Sequence, residues 1–160
     1  MIRILSNTGD LNNTTIGEVS KGLDNLFTPA TYAFAIWGFI YLSIAVMIGY
    51  IYHIDFEIDA EWTITFCLSC FLNISWVVLY TNDYIELSSI ILLLLVLSLY
   101  NLWHKSIGNK FISNIIAVYL GWCIGASTIN GGIALIRNNI FNFKTISIGC
   151  AVVIGCTQLF

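Results

Sequence analysis

Charged residues cut the chain into long apolar runs, and those runs set the elements. From Asn25 to Ile54 the chain passes 30 residues without a Lys, Arg, Asp or Glu. Further uncharged runs of 21, 18 and 26 residues lie at 62–82, 87–104 and 111–136, and 16 more follow Lys144. About 20 helical residues cross a hydrocarbon core. The pattern therefore predicts four complete spans, near 30–52, 62–81, 87–103 and 112–136, and a fifth of marginal length at 145–160. Backbone groups in lipid must bond within their own segment, so the spans are helices. An alternating polar and apolar pattern, the mark of a transmembrane barrel, is missing.

Within the spans the large and polar side chains fall in stripes. Phe34, Trp37 and Tyr41 follow one another at spacings of three and four, which places them on one helix face. Pro29 stands at the entrance to that helix, where a missing N–H costs little. In the second span Trp62, Phe66, Ser69, Asn73, Trp76 and Tyr80 share a face. In the fourth, Tyr119, Trp122, Ala126 and Asn130 do the same. The third span differs: Ile90 to Leu97 is nearly all aliphatic, with Tyr100, Asn101 and Trp103 near its end, and reads as a lipid-facing helix with an interfacial anchor.

Composition agrees with the spans. Hydrophobic residues make up 58% and charged residues 9% of the 160, where soluble domains carry about 25% charge. A net charge of −3 with scattered basic residues gives no footprint for nucleic acid. The fold class predicted is all-α: a polytopic transmembrane bundle, residues 25–160, behind a polar, turn-prone segment, residues 1–24. That segment lacks the basic and apolar regions of a signal peptide, so the first span serves as the insertion signal. Arg3, Lys21, Arg137 and Lys144 fall on one side of the membrane, and Lys105 and Lys110 on the other. This balance favours a cytoplasmic amino terminus.

Chemistry-bearing residues are few inside the spans. All the acids lie in loops or in the amino-terminal segment, and no nucleophile–base pair or phosphate-cradling loop occurs. Cys67 and Cys70 form a Cys-x-x-Cys within a span, without a second pair or a nearby histidine, and read as small buried hydrophobes. His53 and His104 sit at span ends, near water. Gly121 and Gly125 make a small-residue pair suited to close helix packing, within the chain or between two copies. Asn73 and Asn130 are costly in lipid unless they face a partner or a cavity. Pocket lining and helix–helix hydrogen bonding both satisfy them.

Three blocks resemble the tryptophan-rich sensory proteins, also called translocator or peripheral benzodiazepine receptor proteins (TspO/MBR). Pro29, Phe34, Trp37 and Tyr41 are similar to the opening of that family's second helix. Leu72-Asn73-Ile74-Ser75-Trp76 is similar to its Leu-Asn-x-x-Trp block. Tyr119-Leu120-Gly121-Trp122, with Ala126 and Asn130, resembles the block on its fifth helix. The blocks stand in order across residues 28–131.

The resemblance implies a five-helix bundle, often a homodimer, whose cavity binds tetrapyrroles such as protoporphyrin and haem, or sterols in animal members. No cofactor is required by it; the tetrapyrrole is a ligand. Two departures stand out: the polar stretch 1–24 occupies the place of the family's first helix, and the apolar stretch 145–160 follows its fifth. The chain thus reads as a divergent member shortened at its amino end. The expected function is a non-enzymatic membrane receptor or carrier for a flat hydrophobic ligand. Phe34, Trp37, Tyr41, Asn73, Trp76, Tyr119, Trp122, Ala126 and Asn130 would line its site. The alternatives are an assembly subunit whose stripes pack on partner helices, and, third, a porphyrin-degrading enzyme.

Overall fold

The computed structural model describes residues 35–54, 58–138 and 148–149. Four helices carry nearly all of them: α1 Ile36–His53, α2 Ala60–Thr81, α3 Ile85–Lys105 and α4 Lys110–Arg137. Each is long and apolar enough to cross a membrane. The protein is an integral, multi-pass helical bundle. Most of the predicted fifth span, and residues 30–34 of the first, lie outside the described residues.

Three of the helices begin one or two residues before their uncharged windows, because charge is welcome at helix ends in water. Glu86 sits in the first turn of α3 and Lys105 in its last, each complementing the helix dipole. Side chains cap two helices. Asp59 accepts from the Trp62 backbone N–H at 2.6 Å, and Asn109 accepts from the N–H groups of Phe111 and Ile112. The turn from α2 to α3 is a Schellman closure. Asp83 N–H bonds to the Tyr80 carbonyl and Tyr84 N–H to that of Leu79, with Asp83 in the left-handed region at φ 64°.

The helices pack in the order α2, α3, α4, α1. α3 is thus central rather than simply lipid-facing. Ile85, Ser88, Leu92, Leu95, Leu99 and Leu102 are buried in the core, while Leu87, Ile90, Leu93, Leu94 and Leu97 are exposed to lipid. An all-aliphatic helix hides this division, because lipid tails and a neighbouring helix present the same apolar surface. Three bridges tie the ends. Trp62 Nε1 donates to Ser106 Oγ at 2.9 Å, Lys105 pairs with Glu61 at 2.7 Å, and Arg137 grips Asp83 through two nitrogens. Trp62 is therefore a buried tie between α2 and the end of α3.

One further expectation changes. Cys67 and Cys70 are exposed on the lipid face of α2, and only Cys123 is buried among the described thiols. A thiol costs little against lipid, so a membrane span does not force it inward. Gly121 and Gly125 are not a packing contact among the described residues: a Cβ added to either would meet nothing within 4 Å. Gly121 lies nine residues before Asn130, half a turn around the helix, and Asn130 is the residue that meets α3. The pair faces away from α3.

Candidate functional site

The helical stripes of α1, α2 and α4 meet in one aromatic cluster. Trp37 is its centre, only 7% exposed. Its ring centroid lies 5.4 Å from that of Trp76 and 5.7 Å from that of Tyr41. Tyr119 and Trp122 meet it edge-on, at 6.1 and 6.2 Å with interplanar angles of 78° and 88°. Trp76 in turn lies 5.7 Å from Tyr80. Each such pair contributes about 0.5–1.5 kcal/mol beyond its burial. The cluster fills space between helices whose backbones stand apart: no Cα pair joins α1 to α2, or α2 to α4, within 8 Å.

A polar chain runs through the same space. The Tyr41 hydroxyl donates to Asn73 Oδ1 at 3.2 Å. Asn73 Nδ2 donates to the Tyr119 hydroxyl oxygen. The Tyr119 proton is left to donate elsewhere. One amide thus links α1, α2 and α4, which answers the cost of placing Asn73 in the membrane.

The indole nitrogens do not share in this satisfaction. Trp37 Nε1, Trp76 Nε1 and Trp122 Nε1 are buried and have no hydrogen-bond partner among the described residues. An unpaired buried donor costs roughly 1–3 kcal/mol. Three of them around one centre form a concentration of donors without acceptors.

Asn130 belongs to a different contact. Its Nδ2 donates to Ser88 Oγ at 2.9 Å, and Ser88 Oγ donates to the Ile85 carbonyl at 2.8 Å. Its Oδ1 has no partner among the described residues. Eight residues of α4 separate Asn130 from Trp122, about 12 Å along the axis. Ala126, half-buried, lies between them. Phe34 lies outside the described residues.

The structure thus brings Trp37, Tyr41, Asn73, Trp76, Tyr119 and Trp122 together and sets Asn130 apart. Ser88 and Ser106 escaped the sequence reading. The signal for Ser88 was its place in the series Ser88, Leu92, Leu95, Leu99, Leu102, whose spacings of three and four mark the buried face of α3. Among the described residues, no group of three His, Cys, Asp or Glu side chains is placed to hold a metal ion.

These features define a class: a polytopic helical membrane protein with an aromatic, donor-rich interior between three of its helices. The chain matches the family described as TSPO-like protein over residues 1–158. It belongs to that family. Among curated proteins and solved structures, none matches the chain.

Proposed function

We propose that this protein is a non-enzymatic membrane receptor or carrier that holds a flat, hydrophobic ligand, a tetrapyrrole or a molecule of similar shape, among α1, α2 and α4. The observation that carries the reading is the set of three buried indole N–H groups, of Trp37, Trp76 and Trp122, without acceptors among the described residues. A protein interior ordinarily pairs its buried donors. A ligand offering carbonyl, carboxylate or pyrrole-nitrogen acceptors would satisfy them, while the rings of Trp37, Trp76 and Trp122 supply its apolar contact. Asn73 and Tyr119 would orient its polar edge, with the free Tyr119 proton as a further donor. Family membership supports a protein of this type.

Titration of the purified protein with protoporphyrin IX tests the reading. Saturable quenching of tryptophan fluorescence is expected, and its absence would remove the ligand reading in favour of an assembly subunit. Loss of bound porphyrin in light and oxygen, abolished by Trp37→Phe, would instead indicate the degrading enzyme. The Lys and Arg balance supports placing the amino terminus, and with it Arg137, on the cytoplasmic side.

A further inference from the structure

One amide set between two phenols fixes how many protons the polar chain can spare. Tyr41 donates to Asn73 Oδ1, and Asn73 Nδ2 donates to the Tyr119 hydroxyl oxygen. Turning the amide over reverses both bonds, so that Tyr119 donates and Tyr41 accepts. Either way one phenol proton is left over, because Oδ1 faces one hydroxyl and Nδ2 the other. In the arrangement observed that proton belongs to Tyr119, which is buried beside Trp37. A hydroxyl that accepts one hydrogen bond donates the next more strongly. Tyr119 is thus a strengthened donor without charge.

The charges of the chain are held at a distance from it. All six Lys and Arg residues lie outside the uncharged runs. On α4, Lys110 comes nine residues before Tyr119 and Arg137 eighteen after it, about 14 and 27 Å along the axis. Lys105 is engaged by Glu61 and Asp59, and Arg137 by Asp83. Three ionisable groups interact electrostatically with the Tyr119 hydroxyl: Tyr41 of α1, Cys70 of α2 and Cys123 of α4. Phenols and thiols keep their protons at neutral pH. The buried residues of α3 are serine, leucine and isoleucine alone. An anion set against Tyr119 would lose its hydration and gain no counter-charge, which is costly.

We infer that the ligand meets Tyr119 with an uncharged carbonyl oxygen, and that an acidic ligand is bound as its neutral carboxylic acid. The inference rests on the ligand reading above and names the group that the site takes. A porphyrin propionate that enters therefore takes up a proton from water, and its carbonyl oxygen accepts the Tyr119 proton. Because a proton is bound together with the ligand, affinity for a porphyrin acid rises as pH falls. An ester offers the same carbonyl oxygen with nothing to protonate. A porphyrin with alkyl substituents alone offers neither.

Protoporphyrin IX, its dimethyl ester and the all-alkyl etioporphyrin test this by quenching of tryptophan fluorescence. Partition into protein-free micelles is measured at each pH and subtracted. Between about pH 8 and about pH 6, affinity for the diacid should rise about tenfold per pH unit, as uptake of one proton requires. Affinity for the ester should stay level. The ester should also bind about tenfold more tightly than etioporphyrin, and Tyr119→Phe should bring the two together. Each comparison sets ligands against one another on one protein, so a less stable variant still reports it. Binding of the diacid that is independent of pH would mean that the anion is accepted, and would overturn the inference. A preference for the ester that is the same in the native protein and in Tyr119→Phe would overturn the role of Tyr119. Failure of all three porphyrins to bind would remove the ligand reading, and the inference with it.

Discussion

Tyr41 of α1 and Asn73 of α2 share a hydrogen bond of 3.2 Å across a seam where no Cα atoms of the two helices come within 8 Å. The bond exists because both side chains are long enough to meet in space that the backbones leave open. Asn73 then passes the interaction on to Tyr119 of α4. A single amide therefore registers three helices around Trp37, and that cooperation sets what each substitution should do.

Asn73→Leu removes the acceptor of Tyr41 and the donor to Tyr119 while keeping the volume of the side chain. The Tyr119 hydroxyl is then left buried and unpaired. The expected loss of stability is about 1–2 kcal/mol, because interhelical bonds in membranes are worth little more than those in water. Thermal unfolding in detergent checks it, and Tyr41→Phe should cost less than Asn73→Leu.

Asn130 should behave in the opposite way. Its bond to Ser88 is offset by an Oδ1 without a partner among the described residues. Replacing both residues together, as Ser88→Ala with Asn130→Leu, exchanges a half-satisfied polar pair for apolar contact. The expected change is within about 0.5 kcal/mol of zero. A loss as large as that of Asn73→Leu would show that Oδ1 is satisfied by a partner.

The tie between α2 and the end of α3 rests on Trp62 Nε1 and Ser106 Oγ. Trp62→Phe and Ser106→Ala should each destabilise, and the double variant should cost less than their sum. A coupling of about 1 kcal/mol in that cycle is expected. Zero coupling would mean that Trp62 acts only by filling space.

At the α2–α3 turn, Asp83 holds a backbone shape that glycine adopts freely and L side chains resist. Its carboxylate compensates by taking Arg137 at 2.8 Å. Asp83→Gly should be close to neutral, since relief of about 1 kcal/mol offsets an exposed ion pair worth about as much or less. Asp83→Ala keeps the strain and loses the pair, so it should destabilise by about 1 kcal/mol. Denaturation with added salt should narrow the gap between Asp83→Ala and the native chain.

Much of this architecture was legible from residue spacing. The Trp62, Ser69, Asn73, Trp76, Tyr80 stripe is the buried face of α2, because a polar or aromatic stripe in a membrane helix has reason to turn from lipid. The Trp37–Tyr41 and Tyr119–Trp122 spacings likewise marked faces that meet. The burial pattern of α3 was hidden by its uniform aliphatic character. Spacing also could not separate Asn130 from Trp122: they share a helix face but sit two turns apart, so they meet different neighbours. The unpaired indole N–H groups belong to tertiary geometry, and no linear pattern announces them.

The most direct measurement is the affinity of protoporphyrin IX for the native protein and for Trp37→Phe, with Trp103→Phe as a control near the end of α3, away from the cluster. Phenylalanine keeps an apolar ring at position 37 and deletes the unpaired N–H. Affinity should fall about tenfold in Trp37→Phe, as expected for one buried hydrogen bond to a ligand, and stay unchanged in Trp103→Phe. Equal affinity in all three proteins, or no saturable binding in any, would contradict the account.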